Sequence, residues 1–230
     1  MRRCLTDSHS LRPLKCQYLN VDKDLPTVDE LRFSPEGLGR AFTHLNYELM
    51  AFLADAQDLS TDAVGSWRTE VLEAFLVHAR AIAYFLDVSG RYLPDDVTPR
   101  DFGVTWDRAT VSKISGADDR LQLEAQMVLI NKHLAHLTWD RARELPGVEW
   151  DYMRLPALLN PLVEAFVEAL AGPHPTYAAS LKARLDAYRQ WSIEVAAVGR
   201  HVGRTSYSTT DIRVSGGGHT TFKHNGHESS

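Results

Sequence analysis

The sequence predicts an all-α fold, a bundle of four or five long helices with a disordered C-terminal tail. Three observations carry that expectation. Apolar residues recur at three- and four-residue spacing in long runs, helix start and stop residues bracket those runs, and the chain beyond residue 200 loses the pattern. The 230 residues are 44% hydrophobic and 24% charged, which is ordinary globular usage and favours one core over wholesale disorder.

Residues 1–33 carry Pro13, Pro26 and scattered charges without sustained periodicity, and read as an irregular N-terminal arm with at most a short helix. A helical bundle domain is expected over 34–200. It opens at Ser34-Pro35-Glu36, where the Ser oxygen can cap free backbone amides and Pro at the first helical position forfeits no hydrogen bond. Leu38, Phe42, Leu45, Leu49, Phe52 and Ala56 then form the stripe of a first helix of about six turns. The second helix follows a turn at 58–62, carries Trp67, Val71, Phe75, His78, Ile82 and Phe85 on its stripe, and is expected to end near Gly90. The short connection predicts antiparallel packing of the pair.

Residues 91–115 read as a long connection with one short helix after Thr98-Pro99, and Asp95-Asp96 within it as turn or capping carboxylates. The third helix is expected over about 119–141, with Leu123, Met127, Ile130, Leu134 and Leu137 on its stripe. Leu145-Pro146-Gly147 breaks it. Leu155, Leu158, Leu159, Leu162, Phe166, Val167 and Leu170 make a fourth helix, in which Pro161 should cause a kink or mark the first turn. After Gly172-Pro173, a fifth helix carries Tyr177, Leu181, Leu185, Tyr188, Trp191 and Val195. Residues 201–230 are rich in Gly, Ser, Thr and His and cannot bury enough apolar surface to offset about 1–2 kcal/mol of backbone entropy per residue. They are expected to be disordered, with His219, His224 and His227 as incidental composition.

Charge and composition exclude several classes. A formal net charge of -5 argues against a generally basic, nucleic-acid-coating surface. No apolar stretch approaches the roughly eighteen residues of a membrane span, and residues 4–20 lack the apolar region of a signal peptide. Cys4 and Cys16 are too few for a disulfide framework, so a cytoplasmic location without membrane partners is expected.

Candidate chemistry gathers on the third helix. His133 and His136 lie three residues apart and Asp140 four beyond, so the three share one ridge, roughly a quarter-turn from the stripe centred on Ile130 and Leu134. Such a ridge can bind a metal, relay protons, hold a phosphate, or simply bridge to a neighbouring helix, the last being the commonest use. His78 falls on the apolar stripe of the second helix, so it should be largely buried and faced by a polar group. Arg80, two residues on, should project elsewhere, as a surface or interhelical ion-pair partner. His44 and Glu48, four apart, can pair along the first helix. No CxxC pair, nucleotide-binding glycine loop or nucleophile elbow occurs.

The segment Asn131-Lys132-His133-Leu134-Ala135-His136-Leu137-Thr138, with Ala74-Phe75-Leu76-Val77-His78-Ala79-Arg80 on the preceding helix, resembles an uncharacterised group of bacterial helical proteins. More distantly it is similar to the HEPN superfamily, in which an Arg, a polar residue and a later His on one helix bind or cleave RNA. The resemblance implies paired motifs meeting across a homodimer, an RNA or protein partner, and a place in a defence or toxin system. By that resemblance His136 matches the motif His and Asn131 the polar residue, with Lys132 a third catalytic candidate. His133, Asp140, Arg141 and His78 are ligand-binding candidates. Ile130 stands where the motif Arg is expected, and an isoleucine can neither hold a phosphate nor stabilise developing charge. Lys132 or Arg141 would have to substitute. The expectation is therefore RNA or partner binding without cofactor and with catalysis in doubt, ribonuclease being the activity if there is one. Two alternatives stand beside it: a structural or protein-interaction bundle, and a bundle resembling DinB-like proteins in which His78, His133 and His136 hold a divalent metal.

Overall fold

The computed structural model describes residues 27–61, 67–88, 93–135, 148–150, 152–197 and 205–207, and it is an all-α bundle. Side chains at 133, 135, 148, 149 and 205–207 are not described. Most of the N-terminal arm, Cys4 and Cys16, the three tail histidines, and His136, Asp140 and Arg141 lie outside the described residues.

The arm ends in a short helix, α1 (Val28–Arg32), closed by a capping box in which Thr27 and Glu30 satisfy each other's backbone amides. Ser34 caps the next helix, α2 (Pro35–Leu59), by accepting from the Gly37 amide at 2.9 Å, with Pro35 at its first position. α1 is fastened to the connection after α3 by Arg32, which donates to the carbonyls of Pro94 (2.9 Å) and Asp96 (3.0 Å) and pairs with Asp101 (2.9 Å).

α3 (Arg68–Phe85) runs antiparallel to α2, as the pairings Phe52 with Phe75, Glu48 with His78 and Leu59 with Arg68 require. The stripe residues Phe75, Ile82 and Phe85 are buried. Trp67 is a correction: it precedes the helix as its N-cap and is 68% exposed. α3 also stops five residues before Gly90. Asp87 takes a left-handed φ of 60°, its amide donates to the Tyr84 carbonyl and that of Val88 to the Ala83 carbonyl, which is the Schellman way of closing a helix.

A 3-10 turn at Pro99–Phe102 follows Thr98 as expected, and Asp96 closes its own turn by accepting from the Leu93 amide at 2.7 Å. The connection is shorter than the sequence suggested. α4 (Arg108–Ile130) begins at an Asp107 cap and absorbs Gly116, whose φ of 74° joins two helical segments at a bend. A π-helical turn, Asn131–Ala135, continues α4. α5 (Arg154–Leu170) passes through Pro161 as one helix, and α6 (Pro175–Ala197) returns antiparallel to it, with Arg189 paired to Glu164 at 2.6 Å. Phe42 stacks on Tyr177 at 3.9 Å and Asn46 faces Ser180, so α6 lies parallel to α2.

Every long helix contributes to one apolar core, from Leu49 on α2 to Tyr188 on α6. Two short strands, β1 (Val148–Trp150) and β2 (Thr205–Tyr207), pair antiparallel with Val148 opposite Tyr207, so three residues expected in the disordered tail form a strand instead. Among the described residues no helix is long and apolar enough to cross a membrane.

Gly37 allows α1 to fold back onto α2. A Cβ there would collide with the Leu31 carbonyl oxygen and lie 2.6 Å from its carbon. Gly37→Ala should therefore cost about 1–3 kcal/mol of stability in chemical denaturation, although alanine is the better helix former. An unchanged or raised midpoint would show that α1 does not dock in this way.

Candidate functional site

α3 sorts the polar side chains. Its apolar stripe is sealed by α2 and the rest of the core, which leaves two flanks on which polar groups can survive. His78 and Arg80 are two residues apart, about 200° around the helix, and so fall on different flanks.

On the α2 flank, the Nδ1 of His78 lies 2.6 Å from Oε2 of Glu48, with the side chains only 14% and 28% exposed. Glu48 is thus the polar group that an imidazole on an apolar stripe requires, and it reaches across to α3 instead of along its own helix to His44. The edge of the His78 ring meets Tyr47 with centroids 5.6 Å apart. Asp55, two turns along α2, has one carboxylate oxygen sealed without a hydrogen-bond partner. Burial raises its pKa, the nearby His78 opposes the shift, and the like charge of Asp58 adds to it.

On the opposite flank, Asn131 donates from Nδ2 to the Tyr84 hydroxyl at 3.0 Å. The Arg80 guanidinium lies over the Tyr84 ring, 5.1 Å from its centroid. Asn131 opens the π-helical turn, so the switch in backbone geometry coincides with the motif Asn131-Lys132-His133-Leu134-Ala135. Lys132 is exposed on that turn. Ile130, one residue earlier, is fully buried, so position 130 faces the core.

The structure therefore separates His78 from Asn131 by pairing each with a different neighbour. Arg80, expected in an ion pair, has no carboxylate partner among the described residues and stands beside the motif's anchor. Arg80 and Tyr84 were missed as site residues. Their signal was an Arg and a Tyr four apart on a flank, a spacing shared by many helix surfaces. Among the described residues no group of three or more His, Cys, Asp or Glu side chains could hold a metal ion. Compared with known proteins, the chain matches no family, no curated protein and no solved structure.

His78→Ala strands the half-buried Glu48 carboxylate and should lower stability by about 1–2 kcal/mol in urea titrations, with Glu48→Gln,His78→Ala costing less than the sum of its parts. Additive losses would mean the two side chains do not act as a pair.

Asp55 supplies a pH-dependent counterpart. A carboxyl whose folded pKa is raised is most comfortable protonated, so its penalty is absent in acid and grows as pH rises from the ordinary carboxylate range through the raised value. Asp55→Asn should stabilise the protein by about 1 kcal/mol near pH 7.5 and by progressively less toward pH 4. Melting curves across that range in which wild type and variant keep a constant offset would contradict the assignment.

Proposed function

We propose that this chain is a HEPN-like helical module that binds RNA through the segment beginning at Asn131, with little or no ribonuclease turnover of its own. The observation that carries the reading is the π-helical turn at Asn131–Ala135. π-turns are rare, occur mostly as single-turn interruptions of α-helices and gather at functional sites, because the widened ladder costs stability that must be offset by what it positions. Here the interruption begins on the motif's polar residue and is anchored to α3 by the Tyr84 bond. Exposed Lys132 on the turn gives a phosphate a cationic neighbour. The buried Ile130 withholds the guanidinium that would stabilise a developing negative charge, which is the reason for expecting binding without turnover. His136 is the acid-base candidate in this reading, and a role in a defence or toxin system follows from the same resemblance.

A protein-interaction module is the second reading. It is supported by the apolar residues around α1 and its tether: Val28, Phe33, Leu93 and Val97 are 47%, 82%, 65% and 42% exposed.

Fluorescence anisotropy with a short labelled single-stranded RNA tests the first reading. Affinity should fall as salt rises from about 50 to about 200 mM, with log K linear in log salt, and Lys132→Ala should flatten that slope. The same RNA incubated with protein in chelator should remain intact. Efficient metal-independent cleavage abolished by His136→Ala would overturn the claim of no turnover. Absence of binding at the lowest salt would remove the RNA reading and leave the interaction module.

A further inference from the structure

Arg80 is the one arginine among the described residues that is not fully exposed and yet makes no hydrogen bond. Arg32, Arg68, Arg120 and Arg154, the others of comparable burial, all donate to carbonyl, carboxylate, amide or hydroxyl oxygens. The Nε of Arg80 is sealed from solvent and still lacks an acceptor. A guanidinium N–H removed from water without an acceptor is costly, and the group cannot relieve that cost by losing its proton. Glu73, the acidic residue on its own ridge of α3, is seven positions earlier, roughly 10 Å along the axis and past the three- and four-residue spacing at which helix neighbours pair. What holds Arg80 in place is the face of Tyr84. A cation over a ring face is held there electrostatically, and its terminal guanidinium nitrogens can still meet a planar or tetrahedral oxyanion.

The other end of Tyr84 is committed to the motif. Its hydroxyl accepts from Asn131, so its own proton is available to a further acceptor; the side-chain Oδ1 of Asn131 is sealed without a donor. The Nε of Arg120 is also sealed without an acceptor, but its terminal nitrogen donates to Glu124, whereas Arg80 donates to nothing among the described residues and stands beside a tyrosine hydroxyl whose proton is uncommitted, which marks a place for an anionic ligand.

We propose that Arg80 is the phosphate-binding guanidinium of this protein, supplied from α3 in place of the residue that Ile130 replaces, and that its ligand is a phosphodiester oxyanion. The identity of that ligand rests on the RNA-binding reading; the existence of an oxyanion site does not. Arg80 binds the phosphate oxygens, Tyr84 positions the guanidinium and offers its hydroxyl proton, and Asn131 links both to the π-turn. No bond is made or broken at this site.

The test uses the full chain and two measurements. In the first, the labelled RNA is titrated into wild type, Arg80→Ala, Arg80→Lys and Arg184→Ala, the last removing an exposed arginine on α6. Arg80→Ala should weaken binding about tenfold and flatten the salt slope by nearly one phosphate contact, Arg80→Lys should recover part of the loss, and Arg184→Ala should change affinity less than about twofold. In the second, inorganic phosphate is added to nitrogen-15-labelled protein. The side-chain Nε–H resonance that is missing from Arg80→Lys should shift saturably.

Undiminished RNA binding by folded Arg80→Ala overturns the proposal while leaving RNA binding itself intact. If the wild type binds no RNA, the RNA reading falls and the resonance decides. A saturable shift keeps the oxyanion site with a phosphate from another source, and no shift overturns it. Should Arg80→Ala fail to fold, Arg80→Lys and the phosphate titration carry the same decision.

Discussion

The burial of α3 against α2 is the constraint on which the rest of this structure depends. Phe75 stacks on Phe52 with ring centroids 5.0 Å apart, and Leu72, Ala79, Ile82 and Leu86 extend the contact into the core. With one face of α3 committed, any polar group on the helix must lie on a flank and find its partner on whichever helix borders that flank. His78 finds Glu48 on α2, and Tyr84 finds Asn131 where α4 turns into the π-segment. Neither pairing could move to the other side without rotating the apolar stripe out of the core, at a cost of about 1.5–3 kcal/mol for each large side chain exposed.

That constraint gives the candidate site its character. Ile130 is drawn inward with Leu123 and Met127, which fixes the rotation of α4 and turns Asn131 toward α3. Position 130 is therefore a core position in this chain. The flank of α3 bordering Asn131 holds Arg80 over the Tyr84 ring.

Much of the fold was legible because helices announce themselves locally. Ser34-Pro35 and the stripe from Leu38 to Ala56 specify α2 through capping and period, and the seven apolar residues from Leu155 to Leu170 specify α5 even across Pro161. The first half of α4 was read as loop because Pro99 and Gly103 precede it and Gly116 interrupts it, and a glycine joining two helical segments looks the same in sequence as one that ends a helix. β1 and β2 are three residues each and owe their existence to a partner more than fifty positions away, which no local pattern encodes. In the site, Asn131 and Lys132 stood out as polar residues beside an apolar stripe. The π-turn did not, since its residue types differ little from those of an α-helical turn, and Arg80 did not, since a missing acceptor leaves no mark in the sequence.

α3 anchors the turn at Asn131–Ala135 through the bond between Tyr84 and Asn131. A double-mutant cycle measures it most directly, with unfolding free energies for wild type, Tyr84→Phe, Asn131→Ala and the double variant. A neutral hydrogen bond between half-buried partners should appear as a coupling of about 0.5–1.5 kcal/mol, the second substitution costing correspondingly less once the first is made. Strictly additive losses would mean that Asn131 is held by something other than Tyr84, and the arrangement of Arg80, Tyr84 and the π-turn as one unit would be wrong.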